Sequence, residues 1–119
     1  MTMTRFIRFA TVALAIASLS NAASASTEDW DRADDEYQAQ HYGNALAIYE
    51  RMAATGDARA AELAGHMLAL GESLYGSAVR GDPVRAVKLL SQAARAGRPV
   101  AAHLLRRVNL ASAAPIPSK

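Results

Sequence analysis

The chain of 119 residues contains no cysteine. This absence excludes disulfide bonds, thiol catalysis, cysteine-ligated metals and redox sensing. It also excludes a lipid-modified cysteine as a membrane anchor. Any fold of so small a chain must therefore be held together by packing, without covalent cross-links.

A long apolar run is also missing near the N-terminus. The uncharged stretch Phe9–Leu19 has 11 residues, whereas a membrane-spanning helix needs roughly 20. Arg5 and Arg8 precede this stretch, and the small residues Ala23-Ser24-Ala25 follow it. The order basic, apolar, small predicts a secretory signal peptide over residues 1–25 and a periplasmic mature protein. Retention of the segment as an uncleaved anchor, or secretion, is the alternative.

Net charge is low, but its distribution is uneven. The formal charge of +2 comes from Arg5 and Arg8, which would leave with the signal peptide. Residues 26–79 hold ten acids and three bases, whereas residues 80–119 hold eight bases and one acid. This division indicates either an acidic partner or head-to-tail self-association at the basic half, or an ordinary solvated surface. Nucleic acid is not expected, since no stacking aromatic residues accompany the bases.

The chain carries an internal repeat. Residues 45–69 are echoed by residues 86–110, with a constant offset of 41. Self-similarity at this period predicts stacked helical units, an architecture that usually binds other proteins and rarely carries catalysis. The identical pairs are Ala45/Ala86, Ala53/Ala94, Gly56/Gly97, Ala60/Ala101, Ala61/Ala102 and Leu63/Leu104.

Apolar residues at helical spacing predict five helices and an all-α domain over residues 26–110. Asn44, Asp57 and Asp82 are predicted to cap three of the helices, and glycines are predicted to end them. Residues 71–82 are predicted to form a turn-rich connector, and residues 111–119 a disordered tail. The predicted helices are Glu28–His41, one between Asn44 and Gly56, one between Asp57 and Gly71, Pro83–Ala96 and Pro99–Leu110.

The joints between these helices resemble those of a known family. The segments AATGDARAAEL (residues 53–63) and AARAGRPVAAHL (residues 93–104) are similar to the joints of Sel-one-like repeats, which are related to tetratricopeptide repeats. The segment GSAVRGDPVRA (residues 76–86) resembles the family's glycine-rich loop between units. The resemblance implies a short right-handed α-solenoid of antiparallel helix hairpins with a surface for proteins or peptides. It implies no shared catalytic residues.

This sequence departs from the family in two ways. It has only about two units, and Tyr49 of the first unit becomes Leu90 in the second. The first predicted helix would be a half unit that caps the stack. Trp30 and Tyr37 of this helix fit either core packing or a peptide-binding groove, and core packing is favoured.

Residue patterns of catalytic or metal sites are not found in the sequence. Neither Ser73 nor Ser77 lies in a nucleophile elbow. The acidic run over residues 29–36 lacks the ligand spacing and glycine of a calcium loop. The histidines form no pair at metal-binding spacing, so surface positions are expected for them. We therefore expect no enzyme, no metal and no cofactor. The three histidines are His41, His66 and His103.

These patterns predict a small exported helical-repeat protein that acts as an interaction adaptor or scaffold in the cell envelope. A self-associating structural protein without a dedicated partner is the alternative. The expected partner is a protein or peptide, without nucleic acid and without a membrane span after signal cleavage. The candidate partner-binding residues are Tyr42, Tyr75, Arg85, Lys88, Arg95, Arg106 and Arg107.

Overall fold

The computed structural model describes residues 27–113, and these residues fold into helices without any β-strand. The predicted all-α class is thereby confirmed. The predictions made for residues 1–25 and for residues 114–119 lie outside the described residues. The helices are α1 (Thr27–Gln38), α2 (Tyr42–Ala54), α3 (Ala58–Leu70), the short α4 (Glu72–Tyr75), α5 (Pro83–Arg95) and α6 (Pro99–Ala113), with a 3₁₀ turn at Gly76–Ala78.

The long helices pack in chain order. Helix α1 packs on α2, α2 on α3, α3 on α5 and α5 on α6, and α6 also touches α3. Three residues separate α2 from α3, and three separate α5 from α6. Connections this short place consecutive helices side by side as hairpins. Helices α1 and α6 therefore lie at the two ends of the row.

Side-chain caps and a glycine set the helix ends that the sequence predicted. The Ala60 backbone N–H donates to the Asp57 carboxylate at 2.9 Å, and the Arg85 N–H donates to Asp82 at 3.1 Å. These bonds satisfy N–H groups that the first turn of a helix leaves without partners. Gly56 has φ +102°, a conformation that glycine adopts without steric cost. The predictions for Asp57, Asp82 and Gly56 are confirmed.

The predicted cap at Asn44 is wrong. Helix α2 already begins at Tyr42, and the Ala45 N–H donates to the His41 carbonyl at 3.0 Å. Asn44 lies inside the first turn, where its side-chain amide donates to the Glu36 carboxylate at 3.0 Å. That bond ties the start of α2 to α1 instead of capping the helix.

Other boundaries also differ from the predictions, and α1 ends at Gln38, three residues before its predicted end at His41. The connector 71–82 contains helix α4 and the 3₁₀ turn, because Tyr75 and Val79 bury their side chains in the core and hold the segment against the helices. Helix α6 continues to Ala113, three residues beyond its predicted end. Residues 111–113 are thus helical and not part of a disordered tail.

The core is built largely from alanine and a few larger side chains. Ala61, Ala64 and Leu90 are fully or almost fully buried. A Cβ atom on Gly65 would lie 2.7 Å from the Leu90 Cγ, so α3 and α5 approach each other closely at this glycine. Small residues on α3 thus permit the most extensive helix contact in the described residues.

Candidate protein-binding groove

One face of α5 carries a row of long polar side chains. Arg85, Lys88, Gln92 and Arg95 follow one another at i, i+3, i+7 and i+10, a spacing that places them along one side of a helix. The three basic residues are exposed. The row is therefore available to solvent along nearly the whole length of α5.

Helix α2 supplies the other side of the groove. Ala47, Glu50 and Ala54 share one face at i, i+3 and i+7, and both alanines are exposed. Small side chains here leave an open cavity of about 230 Å³ between the two helices. The cavity is lined by Glu50, Ala54, Arg85, Lys88, Leu89 and Gln92.

The charges in the groove are only partly compensated. The Arg85 guanidinium forms an ion pair with Glu50 and lies 3.9 Å from the Asp82 carboxylate. Lys88 and Arg95 form no ion pair with any residue between 27 and 113. Lys88 thus presents an uncompensated cation beside the alanine and leucine of the cavity, and Arg95 adds a second one further along the same face of α5. This arrangement is suited to carboxylate groups on a partner.

A hydrogen bond fixes one end of the groove. The Gln92 side-chain amide donates to the Ala53 carbonyl at 2.8 Å and so links α5 to the last turn of α2. The same carbonyl also accepts the Gly56 backbone N–H at 3.0 Å, so both bonds form at the C-terminal end of α2. Gln92 therefore sets the spacing of α2 and α5 at this point.

The two tyrosines proposed from the sequence lie elsewhere, in an aromatic cluster. The rings of Tyr42 and Tyr75 pack edge to face with centroids 5.0 Å apart, and Tyr37 packs on both. Tyr75 is only 5% exposed, so it offers little surface to a partner, whereas Tyr42 is half-buried. The Tyr75 hydroxyl lies 3.3 Å from the Tyr37 hydroxyl and 3.3 Å from the His66 Nδ1. Burial raises the pKa of Tyr75 and lowers that of His66.

Arg106 and Arg107 lie away from both the groove and the tyrosine cluster, on α6 at one end of the helix row. Both are exposed, and neither forms an ion pair with a described residue. The seven residues predicted from the sequence are thus divided among the groove, the tyrosine cluster and the end of the row. Of the seven, only Arg85 and Lys88 line the same described cavity, and Arg95 lies further along the same face of α5.

Glu62 was missed in the sequence and is structurally central. Its side chain is almost fully buried, accepts a bond from the Arg98 guanidinium at 2.8 Å and accepts another from the Ala101 N–H at 3.0 Å. A carboxylate of α3 therefore caps the first turn of α6 across the fold. On a helical wheel Glu62 lies nearly opposite the predicted apolar face of α3, so the hydrophobic pattern of the sequence gave no signal for its burial.

The remaining aromatic and histidine side chains have local roles. Trp30 packs on Tyr49 with ring centroids 5.8 Å apart, and the Arg59 guanidinium covers its ring at 4.2 Å. Burial, together with a bond to Asp34, raises the pKa of Tyr49 to about 12. On the surface, the Nδ1 atom of His41 lies 3.0 Å from the Oε2 atom of Glu36. Residues 27–113 contain no group of three side chains that is arranged to hold a metal ion.

Within the described part of the chain, no helix combines the length and the apolar character needed to cross a lipid bilayer.

The chain matches no family model, no curated protein and no solved structure at a significant level. The resemblance to Sel-one-like repeats therefore rests on the residues quoted above and stays a prediction.

Proposed function

We propose that this protein is an interaction adaptor that holds a segment of a partner protein in the groove between α2 and α5. The observation that carries this proposal is the row of cations on α5 beside an open cavity. Lys88 and Arg95 lack carboxylate partners among the described residues, so a partner that supplies carboxylates gains ion pairs without breaking existing ones. The preferred partner segment is accordingly acidic.

The shape of the groove sets a second requirement for the partner segment. Ala54 and Leu89 line its floor, and the small side chain of Ala54 leaves room for an apolar side chain of the partner. Peptide grooves typically obtain affinity from such apolar anchors and orientation from the charged groups beside them. An acidic segment with one or two apolar residues fits both features.

The wider setting of this function is part of the same proposal. The signal-like order of residues 1–25 supports export to the periplasm, and the repeat supports a short solenoid of the Sel-one-like type. Solenoids of this kind present binding surfaces and rarely carry catalysis. A non-enzymatic role in the cell envelope is consistent with these features.

Crosslinking in intact envelopes, followed by affinity capture and mass spectrometry, tests the proposal. The protein is produced from its full sequence, so that any processing takes place in the cell. The test variant is Lys88→Glu with Arg95→Glu, which reverses the two uncompensated charges of the polar row on α5. We expect one dominant partner to be captured by the wild-type protein and to be reduced about tenfold or more with this variant.

The matched control is Arg106→Glu with Arg107→Glu. It makes the same change in net charge at two exposed and unpaired positions outside the groove. Capture that survives in the control and is lost in the test variant places the partner in the groove. Equal loss in both variants contradicts the groove, and recovery of copies of this chain alone contradicts the adaptor role.

A further inference from the structure

The outer face of α6 is an exposed surface at one end of the helix row. His103, Arg106 and Arg107 are exposed there, together with two apolar side chains. Val100 is 56% exposed and Leu110 is 72% exposed. Cations beside exposed apolar groups form a surface suited to a partner with acidic side chains.

Positions that are buried in α3 are exposed and polar at the corresponding places in α6. The repeat offset of 41 pairs Gly65 with Arg106 and Leu68 with Asn109. In α3 both positions are buried, and Gly65 lies directly against Leu90 of the next unit. In α6 both positions are exposed and polar. Another hairpin therefore cannot dock on α6 in the way that α5 docks on α3, because Arg106 fills the place that glycine leaves open.

The opposite end of the row carries the complementary charge. Glu28, Asp31 and Asp35 share the outer face of α1 at i, i+3 and i+7, and all three are exposed. Arg32 lies 3.9 Å from Glu28, whereas Asp31 and Asp35 form no ion pair with a described residue. A solvated cap needs only a polar outer face, so opposite signs at the two ends go beyond what capping requires.

We infer that two copies of this chain associate end to end, with the basic face of α6 on one copy against the acidic face of α1 on the next. The second copy is the partner that carries the complementary charges in its own sequence and presents them at the corresponding end of the same helix row. This contact joins two different surfaces, so it is heterologous and extends into short chains of copies.

The association is expected to be weak and sensitive to salt. Exposed ion pairs contribute about 0–1 kcal/mol each and are screened as ionic strength rises. One helix face on each side also buries less area than a stable dimer needs. The interface lies outside the α2–α5 groove, so it is independent of the proposed adaptor function.

Sedimentation velocity over a range of protein concentrations tests this inference. The wild-type protein is expected to show an average mass that rises with concentration at about 0.01 M salt and falls to that of the monomer at about 1 M salt. The variant Arg106→Glu with Arg107→Glu, and separately Asp31→Lys with Asp35→Lys, should each weaken association about tenfold or more.

Mixing the two variants gives the decisive result. The first has two acidic ends and the second has two basic ends, so each associates only weakly alone, but an equimolar mixture should recover association. Lys88→Glu with Arg95→Glu is the control, since it changes net charge as the α6 variant does but leaves both ends intact. Circular dichroism of each variant confirms that the helices are retained.

Three outcomes would overturn the inference. A wild-type protein that stays monomeric at all concentrations in low salt excludes end-to-end association. A mixture that does not associate excludes the pairing of α6 with α1. A control that loses association as strongly as the α6 variant shows that overall charge, and not the end surfaces, governs the behaviour.

Discussion

At the scale of single residues, Glu62 joins parts of the chain that are far apart in sequence. Its carboxylate reaches Arg98 and the backbone of Ala101, so one buried side chain connects α3 to the start of α6. The bond to Glu62 raises the pKa of Arg98. A buried carboxylate is stable only when such partners compensate for its lost hydration.

Replacement Glu62→Gln is expected to lower the free energy of unfolding by about 1–3 kcal/mol, since it removes the charge that binds Arg98 while keeping the side-chain shape. Urea denaturation measures the change. Glu72→Gln serves as a control, because Glu72 is exposed in α4. In the background of Arg98→Gln the effect of Glu62→Gln should become smaller. Equal effects of Glu62→Gln and Glu72→Gln would contradict this role of Glu62.

His66 makes stability depend on pH. Burial lowers its pKa from 6.5, and the charge of Glu62 opposes this effect. The unfolded chain therefore binds the proton more readily than the folded chain, so stability is lost as the pH falls below about 6.5. We expect His66→Gln to reduce the difference in melting temperature between pH 5 and pH 8. An unchanged difference in His66→Gln would count against this assignment.

At the scale of helices, local signals predicted the starts of α3 and α5 but did not predict which side chains the packing of helices brings together. Asp57 and Asp82 cap the helices that follow them, as the sequence predicted, because a cap involves residues only three positions apart. The Asn44 prediction failed because the α1–α2 contact draws its amide to Glu36. Such tertiary contacts compete with local preferences and are not visible in a short window of sequence.

The candidate groove could also be predicted only in part from the sequence. The spacing of Arg85, Lys88 and Arg95 on one helix face can be read from the sequence alone. The facing helix cannot, since Glu50 lies 35 residues from Arg85 along the chain. Tyr75 was predicted to be a partner-binding residue in a glycine-rich connector. The fold instead buries its side chain.

Gly65 determines how closely α3 and α5 approach. Alanine has the higher helix propensity, by roughly 1 kcal/mol, yet a Cβ here would lie 2.7 Å from Leu90 Cγ and 3.2 Å from its backbone nitrogen. We expect Gly65→Ala to lower the free energy of unfolding by about 1–3 kcal/mol through overpacking. Thermal or urea unfolding measures this change in the free energy of unfolding.

The double variant Gly65→Ala with Leu90→Ala supplies the control for that prediction. Leu90→Ala alone should cost about 2–5 kcal/mol, since the side chain is fully buried. The added Cβ occupies part of the space that Leu90 leaves, so the double variant should be less destabilised than the sum of the single changes. Simple additivity would show that the two positions do not share a contact.

At the scale of the whole molecule, packing is unequal along the row. Helix α3 lies between α2 and α5 and also touches α6 and α4, whereas the main contact of α1 is with α2 alone. The buried residues of α1 and α6 are few, namely Ala33 and Ala101. Elements with few buried contacts open locally before the rest of a fold does.

Hydrogen exchange should therefore show a gradient from the centre to both ends. We expect the amides of α3 and α5 to exchange only through global unfolding, and those of α1 and α6 to exchange at least about tenfold faster through local opening. Leu90→Ala should accelerate exchange in α3 and α5 together, since it weakens the contact between them. Mass spectrometry of peptides from each helix resolves these rates. Equal protection of α1 and α3 would show instead that the row unfolds as a single cooperative unit, and that its ends are held as firmly as its centre.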